Sequence, residues 1–115
     1  MPTIFVVSGD WTLRTSVRAE LRQAGVEALG MESADDLARA VAQGITPSAV
    51  VLDAGLGDSA GSCLANLARR VPVVVVASRT ESAPALEGAA AVLYRPVRIG
   101  EIVARVQQIL AGRVA

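Results

Sequence analysis

The chain has 115 residues, enough for one domain with a single core and too few for two. Apolar residues make up 52% of it and aromatics 3%, and eleven basic residues, all Arg, balance eleven acidic ones, so neither nucleic acid nor an anionic membrane is expected as a partner. The absence of histidine excludes Ser-His-Asp catalysis and His-bound zinc, and the single Cys63 can form no internal disulfide.

The predicted elements alternate between strands and helices from the N-terminus onward. TIFVV at 3–7 is an apolar, β-branched run typical of a buried strand. The helix that follows, over 11–25, is expected to end at a Gly25 cap. VEALGM at 26–31 is a weaker strand candidate, and Ser33 can cap a second helix. The apolar face of the first helix consists of Leu13, Val17 and Leu21.

The middle of the chain repeats the pattern. AVVLD at 49–53 is a second apolar strand, and the glycine-rich turn AGLGDSAG follows it. A third helix is predicted over 60–69. PVVVVA at 72–77 is a further strand, and it is too short to span a bilayer.

The C-terminal part completes five βα units. A short helix is predicted around 84–88, a strand at 91–94, and a final helix with a clear apolar face. That face consists of Ile99, Ile102, Val103, Val106, Ile109 and Leu110. The alternation predicts an α/β fold, a doubly wound five-stranded parallel sheet with helices on both faces, as a single domain over 1–115. We expect it to be soluble and cytoplasmic.

The carboxyl ends of two predicted strands form a candidate site. In such sheets ligands bind beyond the carboxyl ends of the strands, where the strand order reverses. VVSGDW at 6–11 and VVLDAG at 50–55 are two such ends. An acid at the end of a buried strand is costly unless a cation or donors meet it, so Asp53 indicates a site; a turn aspartate facing water is the alternative.

These segments resemble the receiver domain of bacterial response regulators. VVLDAGLGDSAG is similar to the phosphoacceptor strand and loop of that family, with Asp53 in the phosphoacceptor place. GAAAVLYRPV resembles the segment that ends in the family's Lys-Pro, here Arg95-Pro96. SGDWTLR resembles the acidic loop and first turn of the first helix. The resemblance covers almost the whole chain and implies a flavodoxin-like (βα)5 fold.

The resemblance also implies a magnesium site, and the residues depart from it. In the family two adjacent acids and the phosphoacceptor hold Mg²⁺, whereas the matching positions here are Ser8 and Gly9. Because Mg²⁺ draws on carboxylates for octahedral oxygen ligation, Asp53 would stand nearly alone. Asp10 is the nearest further acid, and recruiting it would break the register of Leu13 and Arg14. We therefore expect Asp53 and Asp10 to be weak metal ligands at best, and Asp10 to cap the first helix.

Other family positions have changed as well. The switch hydroxyl falls on Ala77, and Ser78 beside it should point to the opposite face. Arg95 replaces the phosphate-binding lysine and could pair directly with Asp53 as a built-in cation. The family's cis peptide corresponds to Arg95-Pro96. The activation-reporting aromatic corresponds to Val92. The degenerate-site positions are Ser8, Gly9, Asp10, Gly55, Ala77, Ser78, Arg95 and Pro96.

The sequence therefore favours a non-enzymatic signalling module of the two-component, phosphorelay type. The preferred hypothesis is a pseudo-receiver that acts by protein contact, with impaired Mg²⁺-dependent phosphorylation. A working receiver phosphorylated at Asp53 by a kinase or small phosphodonor is the alternative. The implied partners are a sensor kinase, an output domain or another signalling protein, with a homodimer also considered. The partner face implied by the resemblance includes Val92, Tyr94, Arg98 and Arg105.

A hypothesis from another class is nucleotide binding. Gly55, Gly57 and Gly61 follow a strand with G-x-G-x-x-x-G spacing, and Ser78-Arg79-Thr80 follows the next strand. That arrangement imitates an NADP fingerprint, in which an arginine meets the 2′-phosphate. Asp53 argues against nucleotide binding, because its carboxylate lies where a pyrophosphate would approach. Two unit charges at ~4 Å repel by ~4 kcal/mol at an effective dielectric of ~20.

Overall fold

The computed structural model describes residues 2–78 and 88–114. Its strands are β1 Thr3–Val7, β2 Glu27–Met31, β3 Ala49–Asp53, β4 Val73–Ala77 and β5 Ala91–Tyr94. All pairings between them are parallel, and the strands lie in the order β2-β1-β3-β4-β5. The predicted five-stranded doubly wound sheet is confirmed.

The described helices are α1 Trp11–Gln23, α2 Ala34–Ala42, α3 Asp58–Leu67 and α4 Ile99–Val114, and a 3₁₀ turn covers Ala54–Leu56. The short helix predicted around 84–88 falls largely on residues outside the described part. No helix within the described ranges is long and apolar enough to cross a membrane.

The sheet separates two apolar cores. On one face α1 and α4 pack over alternate residues of the strands, with Val17, Leu21 and Ile102 fully buried. On the other face α2 and α3 contribute Leu37 and Leu64 to a second cluster around Phe5. Because both faces of the central strands are covered, β3 and β4 read as continuous apolar runs.

The predicted helix ends are largely confirmed. Asp10 caps α1 by accepting hydrogen bonds from the Thr12 and Leu13 amides, and Ser33 caps α2. Gly25, with a φ of 83°, follows the end of α1 in the left-handed region that glycine adopts without strain.

The bounds predicted for the third helix were wrong by two residues at each end. It begins at Asp58 rather than at residue 60, because Gly57, with a φ of 78°, turns the chain directly from the 3₁₀ turn into the helix. It ends at Leu67 because the chain turns there to bring Val71, which is 5% exposed, into the core.

Candidate functional site

The strand register brings the ends of β1 and β3 together. These two strands are neighbours, and Val7 pairs with Leu52, so Ser8 and Asp53 are the next residues on each strand path. The chain enters β2 on one side of β1 and β3 on the other, which makes this the point where the strand order reverses. The site therefore lies where ligands bind in sheets of this kind.

The Asp53 carboxylate is buried and is met by three groups of different kinds. Its Oδ2 atom accepts a hydrogen bond of 2.7 Å from the Ser8 hydroxyl and lies 3.1 Å from Nη2 of Arg95. Its Oδ1 atom accepts a hydrogen bond of 2.8 Å from the Gly55 amide. Asp53 thus caps the 3₁₀ turn, as the alternative interpretation expected, but it is buried and paired with Arg95 and does not face water.

Ser8 is 1% exposed, and each of its polar groups has a partner. Its amide donates to the Met31 carbonyl at 3.0 Å, and its carbonyl accepts from Nη1 of Arg14 at 2.7 Å. The hydroxyl donates to Asp53 and accepts from the Asp10 amide at 3.0 Å. Ser8 was predicted only to be a lost metal ligand, and its hydrogen bond to Asp53 was missed, although a hydroxyl beside an acid at paired strand ends is the relevant signal.

Arg95 forms the ion pair with Asp53 that its position suggested. Its backbone amide donates to the Ala77 carbonyl at 2.8 Å, which fixes the chain just after β5, and the Arg95-Pro96 peptide is cis. The Arg95 side chain is 39% exposed and that of Asp53 is 8% exposed. The cation therefore reaches a buried carboxylate from the solvent side, and the pair carries no net charge.

A cavity of about 300 Å³ opens above this pair. The predicted site residues that line it are Gly9, Asp10, Asp53, Gly55, Ser78 and Arg95. Ala77 is fully buried in the core beneath α2 and α3. Ser78 was expected to point away from the site because the side chains of a strand alternate between its two faces. It lies one residue past the end of β4, however, and it borders the cavity.

The residues present do not fit a receiver-type magnesium site. Gly9 supplies no side chain, and the Ser8 hydroxyl is already bonded to Asp53 and Asp10. Oδ1 of Asp10 is bonded to the first amides of α1. Within residues 2–78 and 88–114, no three acidic, Cys or His side chains gather closely enough to hold a metal ion. An octahedral Mg²⁺ would have Asp53 as its principal protein ligand, and Arg95 already faces that carboxylate.

The residues of the expected partner face lie on β5, on α4 and, for Arg98, in the segment between them. Tyr94 is 45% exposed, Arg98 and Arg105 are exposed, and Val92 is half-buried against the second core. The C-terminal part of the chain therefore exposes an aromatic and two cations.

Comparison with solved structures identifies the class of fold. A response regulator receiver protein from Burkholderia phymatum superimposes with a TM-score of 0.81 at 25% identity, covering 96% of each chain. A receiver domain protein from Methanospirillum hungatei gives 0.84 at 17% identity, covering 97% of this chain and 95% of the other. A Francisella response regulator receiver domain gives 0.83 at 16% identity, covering 98% and 99%. The sequence matches no family model and no curated protein.

The domain is thus a flavodoxin-like α/β module with one parallel sheet between two helical layers. More narrowly, it has the receiver-domain fold of the response regulators of two-component signalling, which confirms the resemblance seen in the sequence.

Proposed function

We propose that this chain is a pseudo-receiver, a two-component signalling module that acts by protein contact without Mg²⁺-dependent phosphorylation. The observation that carries the proposal is the contact of Arg95 and Ser8 with the same oxygen of Asp53, at 3.1 and 2.7 Å. A guanidinium and a hydroxyl supply the opposite charge and the donor that the buried carboxylate needs. The resting site is therefore complete without a metal ion.

The charge balance supports the same conclusion. Three carboxylates and one lysine, as in the resembled family, leave an excess of negative charge that Mg²⁺ offsets. Asp53 with Arg95 leaves no such excess. Phosphorylation of Asp53 would add negative charge at a carboxylate whose one cationic contact among the described residues is Arg95, and binding of a phosphodonor would have to proceed without the usual divalent cation.

One observation favours the alternative, a working receiver phosphorylated at Asp53. The carboxylate lines the open cavity, so a small phosphodonor could approach it. We rank this second, because the contacts of Arg95 and Ser8 with Oδ2 of Asp53 withdraw electron density from the carboxylate and make it a weaker nucleophile.

Nucleotide binding is disfavoured by the contacts of the glycine turn. The Gly55 amide, which a phosphate oxygen would need, donates to Asp53.

The proposed partner is a signalling protein, and the proposed contact surface is formed by exposed residues of β5, of α4 and of the segment between them. Tyr94 with Arg98 and Arg105 combines an aromatic anchor with two cations, residue types that are enriched in protein interfaces. A partner with an acidic rim fits this surface.

Phosphodonor treatment tests the proposed function. We expect the intact mass of the chain to stay unchanged after incubation with acetyl phosphate and Mg²⁺, because the resting Asp53 is held by Arg95 and Ser8 and has no metal site beside it. The controls are an ordinary receiver treated in parallel and the Asp53→Ala variant. A gain of one phosphoryl group in the parent chain but not in Asp53→Ala would reject the proposal and favour a working receiver.

A further inference from the structure

Arg14 does not line the cavity, but its guanidinium contacts the backbone of Ser8, a residue of the site. Its side chain is only 12% exposed, whereas Arg22 on the same helix is exposed. Nη1 donates to the Ser8 carbonyl at 2.7 Å, and Nη2 lies 3.6 Å from Oε1 of Glu32. Glu32 is 78% exposed, so that ion pair contributes little, and the Ser8 carbonyl is the contact that orients the guanidinium.

Strand β2 leaves room for this side chain. A Cβ atom added at Gly30 would lie 2.9 Å from Cγ of Arg14 and 2.9 Å from Cδ of Arg18. Real Cβ atoms essentially never approach carbon this closely, so a larger residue here would force the two arginine stems to shift. The stems of Arg14 and Arg18 therefore run side by side across the edge strand.

The two arginines differ in what they reach. Arg18 donates from Nε to the Ala28 carbonyl at 3.3 Å, a contact confined to β2. Arg14 reaches the residue whose hydroxyl binds Asp53. Ser8 is thus held from three sides, by β2 through its amide, by Arg14 through its carbonyl and by Asp53 through its hydroxyl.

We propose that Arg14 is a positioning residue of the Asp53 site. By fixing the Ser8 peptide at its carbonyl, it keeps the Ser8 hydroxyl on Oδ2 of Asp53 and leaves Oδ1 to the Gly55 amide. The inference rests on the proposed function in one respect, namely that the bond between Ser8 and Asp53 belongs to the resting site.

Backbone amide NMR tests the proposal, with the Gly55 amide as the reporter because it contacts Asp53 and is far from Arg14 in the chain. Arg14→Met should shift the Gly55 resonance, and Arg14→Lys should restore part of that shift. Arg18→Met is the matched control, since it removes the guanidinium of the neighbouring arginine and keeps an apolar stem over the same glycine, and it should leave the Gly55 resonance in place. In a Ser8→Ala background, Arg14→Met should produce no further shift.

Equal effects of Arg14→Met and Arg18→Met on the Gly55 resonance would overturn the proposal and leave Arg14 with a packing role.

If Arg14→Met does not fold, a measurement on the unaltered chain decides. The Nη protons of Arg14 should exchange with water more slowly than those of the exposed Arg22, and equal exchange rates would overturn the proposal. A phosphoryl gain in the mass experiment would reject the proposed function and leave this result standing, so the two failures are distinguishable.

Discussion

Replacing Arg95 with methionine is expected to lower the free energy of unfolding by about 1–3 kcal/mol, mainly because it leaves the Asp53 charge buried without its cation. Asp53 keeps the Ser8 hydroxyl and the Gly55 amide, but neither carries a charge. The cost is below that of a fully buried pair, since the Arg95 side chain is 39% exposed and water can enter once it is removed.

The contribution of the pair is isolated by a double-mutant cycle in urea unfolding. Asp53→Asn together with Arg95→Met should cost less than the sum of the two single variants, by at least about 0.5 kcal/mol, as expected for residues in direct contact. Arg98→Met is the matched control, because it removes an exposed arginine three residues away and should change stability by less than about 0.5 kcal/mol. Additive effects of the two site variants would mean that the pair does not hold Asp53.

The second large effect is expected when aspartates are placed at positions 8 and 9, where the resembled family carries its two adjacent acids. Ser8→Asp with Gly9→Asp should be destabilised without divalent cations and stabilised by Mg²⁺, because three carboxylates then face the single Arg95. If Mg²⁺ binds only the folded state, stabilisation reaches about 2.7 kcal/mol at a concentration ~100 times the Kd. The new side chain at Gly9 fits, since a Cβ there would lie 3.7 Å from Cδ2 of Leu56 in ordinary contact.

This effect is measured by thermal unfolding with and without MgCl₂ at matched ionic strength. The control is Ser8→Asn with Gly9→Asn, which has nearly the same shape and lacks the charges, so Mg²⁺ should leave its melting temperature unchanged. If Mg²⁺ does not stabilise the variant with both acids, the loss of these two ligands is not enough to explain why this site differs from that of a metal-binding receiver.

Much of the fold could be predicted from the sequence because its signals are local. Continuous apolar runs marked the central strands, and the caps at Asp10 and Ser33 depend on residues three positions apart or fewer. The bounds of α3 were less predictable, because the start depends on the conformation of Gly57 rather than on residue type alone.

The site could be predicted only in part, since its contacts join distant strands. The pairing of Arg95 with Asp53 followed from the family position of each residue. The role of Ser8 depends on the register of β1 against β3, and the role of Arg14 depends on space left by Gly30 on β2. None of these relations is visible in a local pattern. Ser78 borders the cavity because β4 ends one residue before it, a boundary that strand alternation alone did not give.

The central claim is that the Asp53 carboxylate is held by the protein's own cation and hydroxyl in place of a metal ion. A Mg²⁺ titration of the unaltered chain, followed at the Gly55 amide by NMR, tests it most directly. We expect no saturable shift over the range in which an ordinary receiver, titrated in parallel, reaches saturation. A saturable shift at Gly55 and Asp10, abolished by Asp53→Ala, would contradict it.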